Sequence, residues 1–253
     1  MKQIIKMIVT DLDGTLLRTD KTISDYTKLV LKKCRESGIK VAYATGRGGS
    51  SENIAPAELF DGIITTNGAT AQISGETIYS CHLSYLIARP ILIACHKRGL
   101  KIASQTSDMH YSNFVVSDVW PEITNFEVVN FLYHAKDAEK LYVYNPTPED
   151  IQFIENRLSD NVYLVMAMDG VAMIMHKGAT KSKAAAALAK FWGITAGEIV
   201  AFGDDLNDRD MLTYAGIGVA MDNALDEVKA VSDFACLSND KDGLAKWVEE
   251  NVF

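Results

Sequence analysis

A short apolar segment that ends in two acids constrains the fold more than any other stretch of this sequence. Residues 4–9 form an apolar run of strand length, and Asp11 and Asp13 follow it with Gly14 directly behind. A carboxylate at the carboxyl end of a buried strand lies where open α/β sheets place their ligands. Asp11 and Asp13, two apart on extended chain, point the same way. Because like charges held this close repel, they need a cation, a shared proton or an arginine between them at neutral pH.

Several interpretations of this acidic turn compete. A helix-loop-helix calcium site is excluded, because Thr15, Leu16 and Thr22 stand where Asp or Asn, Gly and Glu would be required. The simplest remaining ligand is Mg²⁺, bound by one or two carboxylates and a substrate phosphate. A polar turn that only caps a strand stays an alternative for the motif taken alone.

Length and charge limit the classes of function. With 253 residues the chain can form one large α/β domain or a domain with a second one inserted. A net charge of -8 argues against nucleic-acid binding, which wants a basic face. No stretch approaches the roughly 18 apolar residues of a membrane span. We therefore expect no nucleic-acid partner and no membrane insertion.

The cysteines and the first residues favour a cytoplasmic protein. The four cysteines form no C-x-x-C pair, so their spacing does not support zinc binding, and reduced thiols are expected. The first residues lack the long apolar core and cleavage site of a secretory signal.

Three further predicted strands also end in small, polar or acidic residues. They are residues 39–44, followed by Thr45, Gly46 and Arg47; residues 62–65, followed by Asn67; and residues 199–202, followed by Asp204, Asn207 and Asp208. A helix capped by Thr180 begins with Lys181. The β-loop-α-β order predicts a parallel sheet, in which these strand ends meet at one edge.

The middle of the chain has a different character. Between about residues 72 and 175 the predicted strands are shorter and less regular, which indicates an α+β insertion. Near its end, Asp169 and Gly170 predict a two-residue hairpin turn that places Met166 opposite Met173 and Met168 opposite Val171. Met166, Met168, Val171, Met173 and Met175 would then share one face. Such a methionine face can fill a core or form an adaptable binding surface, and core filling is commoner.

The polar residues at the strand ends suit phosphate binding. Thr45 and the backbone N–H groups of Gly46 and Arg47 can bind phosphate oxygens, and Lys181 adds positive charge. Taken singly, each has an ordinary structural explanation, such as a solvated helix lysine. Their occurrence in order, each after a strand or at a helix start, favours the functional interpretation.

The acids supply the remaining chemistry. Asp204 can complete a Mg²⁺ shell with Asp11. Asp11 can attack phosphorus as a carboxylate nucleophile and form an aspartyl-phosphate. Asp13 can protonate the leaving alkoxide and then deprotonate the hydrolytic water.

These motifs resemble those of a known family. The chain is similar to the haloacid dehalogenase superfamily of phosphohydrolases, in its Cof-type branch (subclass IIB) with a large α/β cap. The motifs that carry the resemblance are residues 11–16, 44–47, 66–69, 177–181, 203–208 and 219–224. The resemblance implies an α/β, Rossmann-like parallel-sheet core formed by residues 1–81 and 176–253, with an inserted α+β cap formed by residues 82–175.

The resemblance also implies roles for individual residues. It makes Asp11 the nucleophile and Asp13 the acid/base, with Mg²⁺ held by Asp11, the backbone carbonyl of Asp13, and Asp204. It places Thr45, Gly46, Lys181 and Asn207 at the phosphate, Arg47 and Asn67 on the substrate side, and Asp208 in support of Lys181 or the water shell of the metal.

The sequence departs from the family pattern at a few positions. Asp205 and Asp222 stand where glycine is common, and Ser182 and Lys183 follow the motif lysine where a glycine is usual. None of these changes removes a catalytic group. The additional carboxylate of Asp205 can alter metal affinity or point to solvent.

The predicted function is a Mg²⁺-dependent phosphatase for a small phosphorylated metabolite such as a sugar phosphate. A phosphomutase on the same core and a non-catalytic protein that binds phosphometabolites are the alternatives. The cap is expected to select the substrate, since the core supplies only phosphate chemistry. The polar and aromatic candidates there are His110, Tyr111, Asn113 and Trp120.

Overall fold

The computed structural model describes residues 4–167 and 170–253. The chain divides into two compact units, of which the first comprises Met1–Ser80 and Thr180–Phe253 and the second comprises Cys81–Ala179. The predicted boundaries lie after residues 81 and 175.

The described residues include the following strands and α-helices. The strands are β1 (Met7–Thr10), β2 (Lys40–Ala44), β3 (Gly62–Thr65), β4 (Thr70–Ile73), β5 (Glu76–Ser80), β6 (Ile102–Thr106), β7 (Met109–Ser112), β8 (Phe126–Val128), β9 (Lys140–Tyr144), β10 (Val162–Met166), β11 (Val171–His176), β12 (Ile199–Gly203), β13 (Ile217–Ala220) and β14 (Phe234–Ala235). The helices are α1 (Asp25–Glu36), α2 (Tyr85–Lys97), α3 (Pro148–Glu155), α4 (Lys181–Trp192), α5 (Arg209–Tyr214), α6 (Asp226–Lys229) and α7 (Gly243–Asn251).

The first unit contains an eight-stranded sheet in the order β14-β13-β12-β1-β2-β3-β4-β5. The strands from β14 to β3 are parallel, and β4 and β5 add an antiparallel edge. Apolar clusters cover both faces, so every residue of β1 is buried, as expected for a parallel strand. This architecture confirms the predicted α/β fold with a parallel-sheet core.

The register of the central strands brings their carboxyl ends level. Thr10, the last residue of β1, pairs with Phe202 on one side and Tyr43 on the other. Asp11 continues this alignment, because its N–H donates to the carbonyl of Phe202 at 3.0 Å. The polar residues that follow β1, β2 and β12 therefore lie at one edge of the sheet.

Helix α4 begins where the sequence predicts it. The Thr180 hydroxyl accepts a hydrogen bond from the N–H of Lys183 at 3.3 Å, and Gly193 ends the helix in a left-handed conformation with φ of 68°. Lys181 is consequently the first residue of α4.

The second unit contains a six-stranded sheet in the order β10-β11-β9-β6-β7-β8. Its pairs are antiparallel except for β7 and β8, which run parallel. Helices α2 and α3 pack against one face through a cluster that includes Ile91, Leu92 and Ile154. The other face carries Ala103, Tyr142 and Val171 with partly buried aromatic neighbours.

The predicted register of the β10–β11 hairpin is wrong by one residue. Met166 pairs with Ala172, and Met173 pairs instead with Val165. The connection between Ala167 and Val171 is three residues long, with Gly170 at a φ of 80°, which suits a longer hairpin loop with glycine in the left-handed region. The predicted turn residue Asp169, and Met168 with it, lie outside the described residues.

The shifted register also divides the predicted methionine face. Met166 lies on the opposite side of the ribbon from Met173 and Met175. Met166 is 41% exposed, whereas Met175 is fully buried. The methionines therefore do not form a single core face.

In the part of the chain that the structure describes, no helix combines the length and the apolar character that crossing a bilayer requires.

Candidate active site

A buried lysine joins two of the predicted acids in the first unit. The Nζ of Lys181 lies 2.6 Å from Oδ1 of Asp11 and 2.6 Å from Oδ1 of Asp208. The side chains of Lys181 and Asp208 are fully buried. Burial opposes the charge on Lys181, but the two carboxylates outweigh it and raise the pKa of this ammonium above its ordinary value. Lys181 is thus a fixed positive charge between two acids.

The environment of Asp11 disfavours its ionised form despite this lysine. Burial raises the pKa of Asp11 well above its ordinary value, Lys181 opposes that rise, and the charges of Asp208 and Asp204 add to it. Oδ1 of Asp11 accepts from Lys181, while Oδ2 has no hydrogen-bond partner among the described residues. Oδ2 is therefore the oxygen of Asp11 that Lys181 does not hold.

Asp208 fixes the loop that follows β12. Its Oδ2 accepts hydrogen bonds from the backbone N–H groups of Asp204 and Asp205, each at 3.0 Å, and its Oδ1 accepts from Lys181. A Cβ at Gly203 would lie 2.4 Å from the Cβ of Asp208. Asp208 therefore holds both the lysine and the backbone of its own loop.

Asp204 is positioned by the turn that follows β1. The Thr15 hydroxyl donates to Oδ1 of Asp204 at 2.6 Å. Gly14 has a φ of 80°, and a Cβ there would lie 2.3 Å from Oδ2 of Asp204, so only glycine permits this approach. Burial raises the pKa of Asp204 to about 6, with Thr15 lowering it and the charge of Asp208 raising it.

Three of these carboxylates offer a set of ligand atoms for a cation. Asp11, Asp204 and Asp208 each present a ligand atom, and these atoms all lie within 4.8 Å of one another. A single buried ammonium, that of Lys181, offsets three acids, and burial raises the pKa of both Asp11 and Asp204. An additional hard cation fits this all-oxygen donor set.

The Asp13 side chain is not part of this carboxylate cluster and is bound by two basic residues. Arg47 binds it with two hydrogen bonds, from Nε to Oδ2 at 2.6 Å and from a terminal nitrogen to Oδ1 at 2.8 Å. Lys21 donates to Oδ1 at 2.8 Å. Partial burial opposes ionisation, but the hydrogen bonds from Arg47 and Lys21 outweigh it and lower the pKa of Asp13 to about 2.

Backbone hydrogen bonds join the loop after β2 to the loop after β3. The N–H of Asn67 donates to the carbonyl of Thr45 at 2.9 Å, and the N–H of Thr66 donates to the carbonyl of Arg47 at 2.7 Å. Thr45 is buried, and its hydroxyl accepts from the N–H of Arg47 at 3.2 Å. A Cβ at Gly46 would lie 3.0 Å from Oδ1 of Asn67, which makes this a close crossing.

The loop after β3 has an unusual backbone. Thr66, Asn67 and Gly68 have φ values of 49°, 53° and 91° in succession. The Asn67 side chain accepts a hydrogen bond from Nδ2 of Asn207 at 2.9 Å. Left-handed non-glycine residues are uncommon and cluster at functional sites. The loops that follow β2, β3 and β12 are therefore joined by direct hydrogen bonds.

Some residues of the site have no role in the sequence analysis. Lys21 lies on a loop eight positions beyond Asp13, in a left-handed conformation with φ of 65°, and no strand or helix pattern marks it. Thr15 and Asn223 belong to the recognised motifs, but nothing in the motifs predicts their contacts. Asn223 donates to the carbonyl of Gly14 at 2.7 Å and so supports the turn after β1.

The two additional carboxylates lie outside the cluster of acids. Asp205 is exposed and accepts a hydrogen bond from the N–H of Leu206 at 2.7 Å. Asp222 is also exposed. Of the two outcomes open for Asp205, the structure shows the solvent-exposed one.

The sequence matches a known protein family and named relatives. Residues 8–248 match a family model described as haloacid dehalogenase-like hydrolase. The chain is 28% identical to a 5-amino-6-(5-phospho-D-ribitylamino)uracil phosphatase of Bacillus subtilis, with 96% of each chain covered.

Solved structures are similar over the whole chain as well. The chain resembles the phosphatase BT1666 of Bacteroides thetaiotaomicron, with a TM-score of 0.86 and 28% identity over 98% of this chain and 95% of the other. It also resembles BT4131, described as a subclass IIB sugar phosphatase, with a TM-score of 0.83 and 26% identity over 97% of this chain and 98% of the other.

Proposed function

The chain belongs to the haloacid dehalogenase-like hydrolase family, as its motifs predict, and is a phosphatase; we propose that it hydrolyses a small phosphomonoester through an aspartyl-phosphate in a Mg²⁺-dependent reaction. The observation that carries this proposal is the buried contact between Lys181 and Asp11, in the same carboxylate cluster as Asp204. Such a cluster suits phosphoryl transfer, which needs a positioned nucleophile and positive charge around it.

Asp11 is the proposed nucleophile, and its free oxygen fixes the direction of attack. Because Lys181 occupies Oδ1, Oδ2 forms the bond to phosphorus as the bond from phosphorus to the leaving oxygen breaks. Water then attacks the phosphorus of the aspartyl-phosphate, which releases inorganic phosphate and restores the Asp11 carboxylate. Lys181 stays protonated and stabilises negative charge in both steps.

Asp13 is the proposed acid and base. In the first step it must carry a proton for the leaving oxygen, and in the second it must accept one from water. With a pKa of about 2 while Arg47 and Lys21 hold it, Asp13 is ionised and suited only to the second task. We infer that bound substrate draws Arg47 away from Asp13, which raises the pKa of this acid before the first step.

Mg²⁺ would be held by the carboxylates of Asp11 and Asp204 with the backbone carbonyl of Asp13. Asp208 would keep these ligands in position, because it accepts hydrogen bonds from Lys181 and from the N–H groups of the loop after β12. When bound, the ion supplies positive charge for the phosphoryl oxygens.

The phosphate itself would be bound by the loops joined to one another at the sheet edge. Thr45 and the N–H of Gly46 are proposed donors, with Lys181 and Asn207 on the other side and with Arg47 and Asn67 facing the rest of the substrate. Hydrogen bonds between these loops, such as that from Asn207 to Asn67, support the proposal because they hold the donors in fixed relation.

The proposed substrate class is a sugar phosphate or a similar small phosphomonoester. BT4131 is described as a sugar phosphatase, and the Bacillus subtilis relative acts on a phosphorylated ribitylaminouracil. Both names describe a phosphate on a small polyol or sugar carbon. We propose that the second unit serves as the cap and selects the remainder of the substrate.

The direct test is hydrolysis of p-nitrophenyl phosphate with Mg²⁺ by the wild-type chain and by Asp11→Asn. We expect turnover by the wild type and none above background by the variant. A panel of phosphate esters then ranks substrates, and a bisphosphorylated activator tests whether product is isomerised rather than dephosphorylated. If the wild type hydrolyses no ester in the panel with Mg²⁺ present, the proposal is wrong.

A further inference from the structure

The face of the second sheet opposite α2 and α3 contains a cavity of about 180 Å³. All of its lining residues belong to the second unit. Its polar lining includes Gln105, His110 and Lys140, and its apolar and aromatic lining includes Trp120, Tyr142 and Met173. An apolar cavity with a few convergent polar groups is the usual form of a small-molecule site.

Strand register arranges the polar lining in a row. Gln105 on β6 pairs with His110 on β7 and, on its other side, with Lys140 on β9. In the next row on the same face, Tyr142 pairs with Met173 on β11. Because adjacent strands are about 4.8 Å apart, the polar row spans about 10 Å. It can contact the edge of a single ring, while the neighbouring row supplies apolar contact.

Gln105 supplies an unpartnered acceptor to the cavity lining. Its Nε2 donates to the carbonyl of Ser107 at 2.8 Å, which fixes the amide orientation, since the opposite orientation would place two oxygens together. Gln105 is only 4% exposed, and its Oε1 has no partner among the described residues. Because Gln105 lines the cavity, its unpartnered Oε1 can accept a hydrogen bond from a ligand N–H.

His110 presents the complementary donor. Its Nδ1 lies 2.8 Å from the hydroxyl of Tyr142, and it is 8% exposed. Burial lowers the pKa of His110 to about 4, so the ring is neutral at pH 7, and burial also raises the pKa of Tyr142. The Tyr142 hydroxyl has no other hydrogen-bond partner among the described residues, so we assign its proton to the bond with Nδ1, which places the proton of the ring on Nε2. Nε2 has no partner among the described residues.

The aromatic wall is held by ring contacts. Trp120 makes edge-to-face contacts with Tyr142 and Tyr144, with centroid distances of 5.7 and 5.5 Å. Met173, which is partly buried, adds an adaptable thioether to the lining. Cavities near 150 Å³ accept one six-membered ring, so this cavity matches a single ring in size.

We propose that this cavity binds a single planar nitrogen heterocycle with a lactam edge, whose N–H donates to Oε1 of Gln105 and whose carbonyl accepts from Nε2 of His110. The ring can belong to the phosphorylated substrate, in which case the inference extends the proposed function, or to a separate effector. The cavity chemistry is the same for both sources.

Calorimetric titration of the full chain with uracil tests this proposal, and 1,3-dimethyluracil is the matched probe that keeps the ring and carbonyls but has no N–H. We expect wild-type protein to bind uracil about 3- to 10-fold more tightly than the dimethyl probe, in keeping with one hydrogen bond. Gln105→Leu should lose that discrimination. Gln152→Leu, on the exposed side of α3, should retain it.

The wild-type comparison of the two probes needs no variant, so misfolding of Gln105→Leu would not affect it. Equal affinity of the wild type for both probes, or no binding of uracil at millimolar concentration, would overturn the proposal. Competitive inhibition of p-nitrophenyl phosphate hydrolysis by uracil would assign the ring to the substrate, and a changed kcat at constant KM would assign it to an effector. If no ester is hydrolysed but uracil still binds, the proposed function fails and this site remains.

Discussion

Arg47 holds Asp13 through two parallel hydrogen bonds, at 2.6 and 2.8 Å, so the proposed acid/base is locked as a carboxylate in this structure. A planar guanidinium matches a carboxylate in this geometry and matches a phosphate equally well. In the proposed reaction, bound substrate and Asp13 are therefore alternative partners for the Arg47 side chain.

Arg47→Ala should raise the pKa of Asp13 from about 2 toward its ordinary value near 4. A depressed carboxyl pKa contributes stability that is present above the unfolded-state pKa and is lost as the pH falls toward 2. That acid-side contribution should diminish in the variant. Carboxyl NMR titration of metal-free protein measures the pKa, and Arg89→Ala, at an exposed position on α2, is the control. An unchanged Asp13 titration would contradict the role of Arg47.

Lys181→Met should abolish hydrolysis and destabilise the chain by about 3–5 kcal/mol, because it leaves Asp11 and Asp208 buried without their shared cation. Urea denaturation measures the loss of stability, and p-nitrophenyl phosphate turnover measures the activity. Lys190→Met, at an exposed position near the end of the same helix, should change neither by much. Full activity in Lys181→Met would exclude this lysine from the reaction.

Mg²⁺ should stabilise the folded chain, and Asp204→Asn should remove most of that effect. At 100 times its dissociation constant a ligand adds about 2.7 kcal/mol to the free energy of unfolding. The raised pKa of Asp204, about 6, predicts a pH dependence of stability in the absence of metal. Between about pH 4 and pH 6 the folded state retains a proton that the unfolded state has lost, so the free energy of unfolding falls as the pH rises through this range. Thermal unfolding with EDTA or Mg²⁺ at pH 4.5 and pH 7 measures both effects. Equal Mg²⁺ stabilisation of wild type and variant would contradict this ligand assignment.

Gly14→Ala should destabilise the chain more than Gly38→Ala, although both glycines have a φ near 80°. Each substitution strains the left-handed backbone by about 1–2 kcal/mol. Only at Gly14 does the new Cβ also meet Asp204, at 2.3 Å, whereas nothing lies within 4 Å at Gly38. The Gly14 variant should therefore also lose Mg²⁺ affinity, which calorimetry measures. Equal losses of stability in the two variants would show that the contact with Asp204 has no effect.

The sequence predicted part of the convergence in the first unit. Asp11 and Asp204 each follow a strand, and parallel strands bring their carboxyl ends to one edge, which is where the structure places these acids together. The connection of these acids to Lys181 is less local, since it depends on how α4 packs on the sheet. The position of Lys181 at the start of a capped helix after the insertion nevertheless indicated that this lysine lies near the acids.

Contacts set by loop conformation could not be predicted in the same way. Lys21 reaches Asp13 from a left-handed position that no periodicity marks. The β10–β11 register depended on whether the connection had two or three residues, and a shift of one residue exchanges the two faces of a strand. Four polar and aromatic residues of the predicted cap could not be ranked from sequence as contacts for the substrate. Of these, His110 and Trp120 line the cavity of the second unit, whereas Tyr111 and Asn113 are not among its described lining residues.

The way the second unit is inserted has an evolutionary consequence. Ser80 pairs with Thr70, and the carbonyl of Thr180 lies against Gly68, so both ends of the insertion leave the first unit beside one short loop. Strand order in the first sheet does not depend on what lies between these two ends. The inserted segment can therefore lengthen, shorten or be replaced over generations while the acids and the lysine keep their places, and under the proposed function such a change would alter the substrate without altering the reaction.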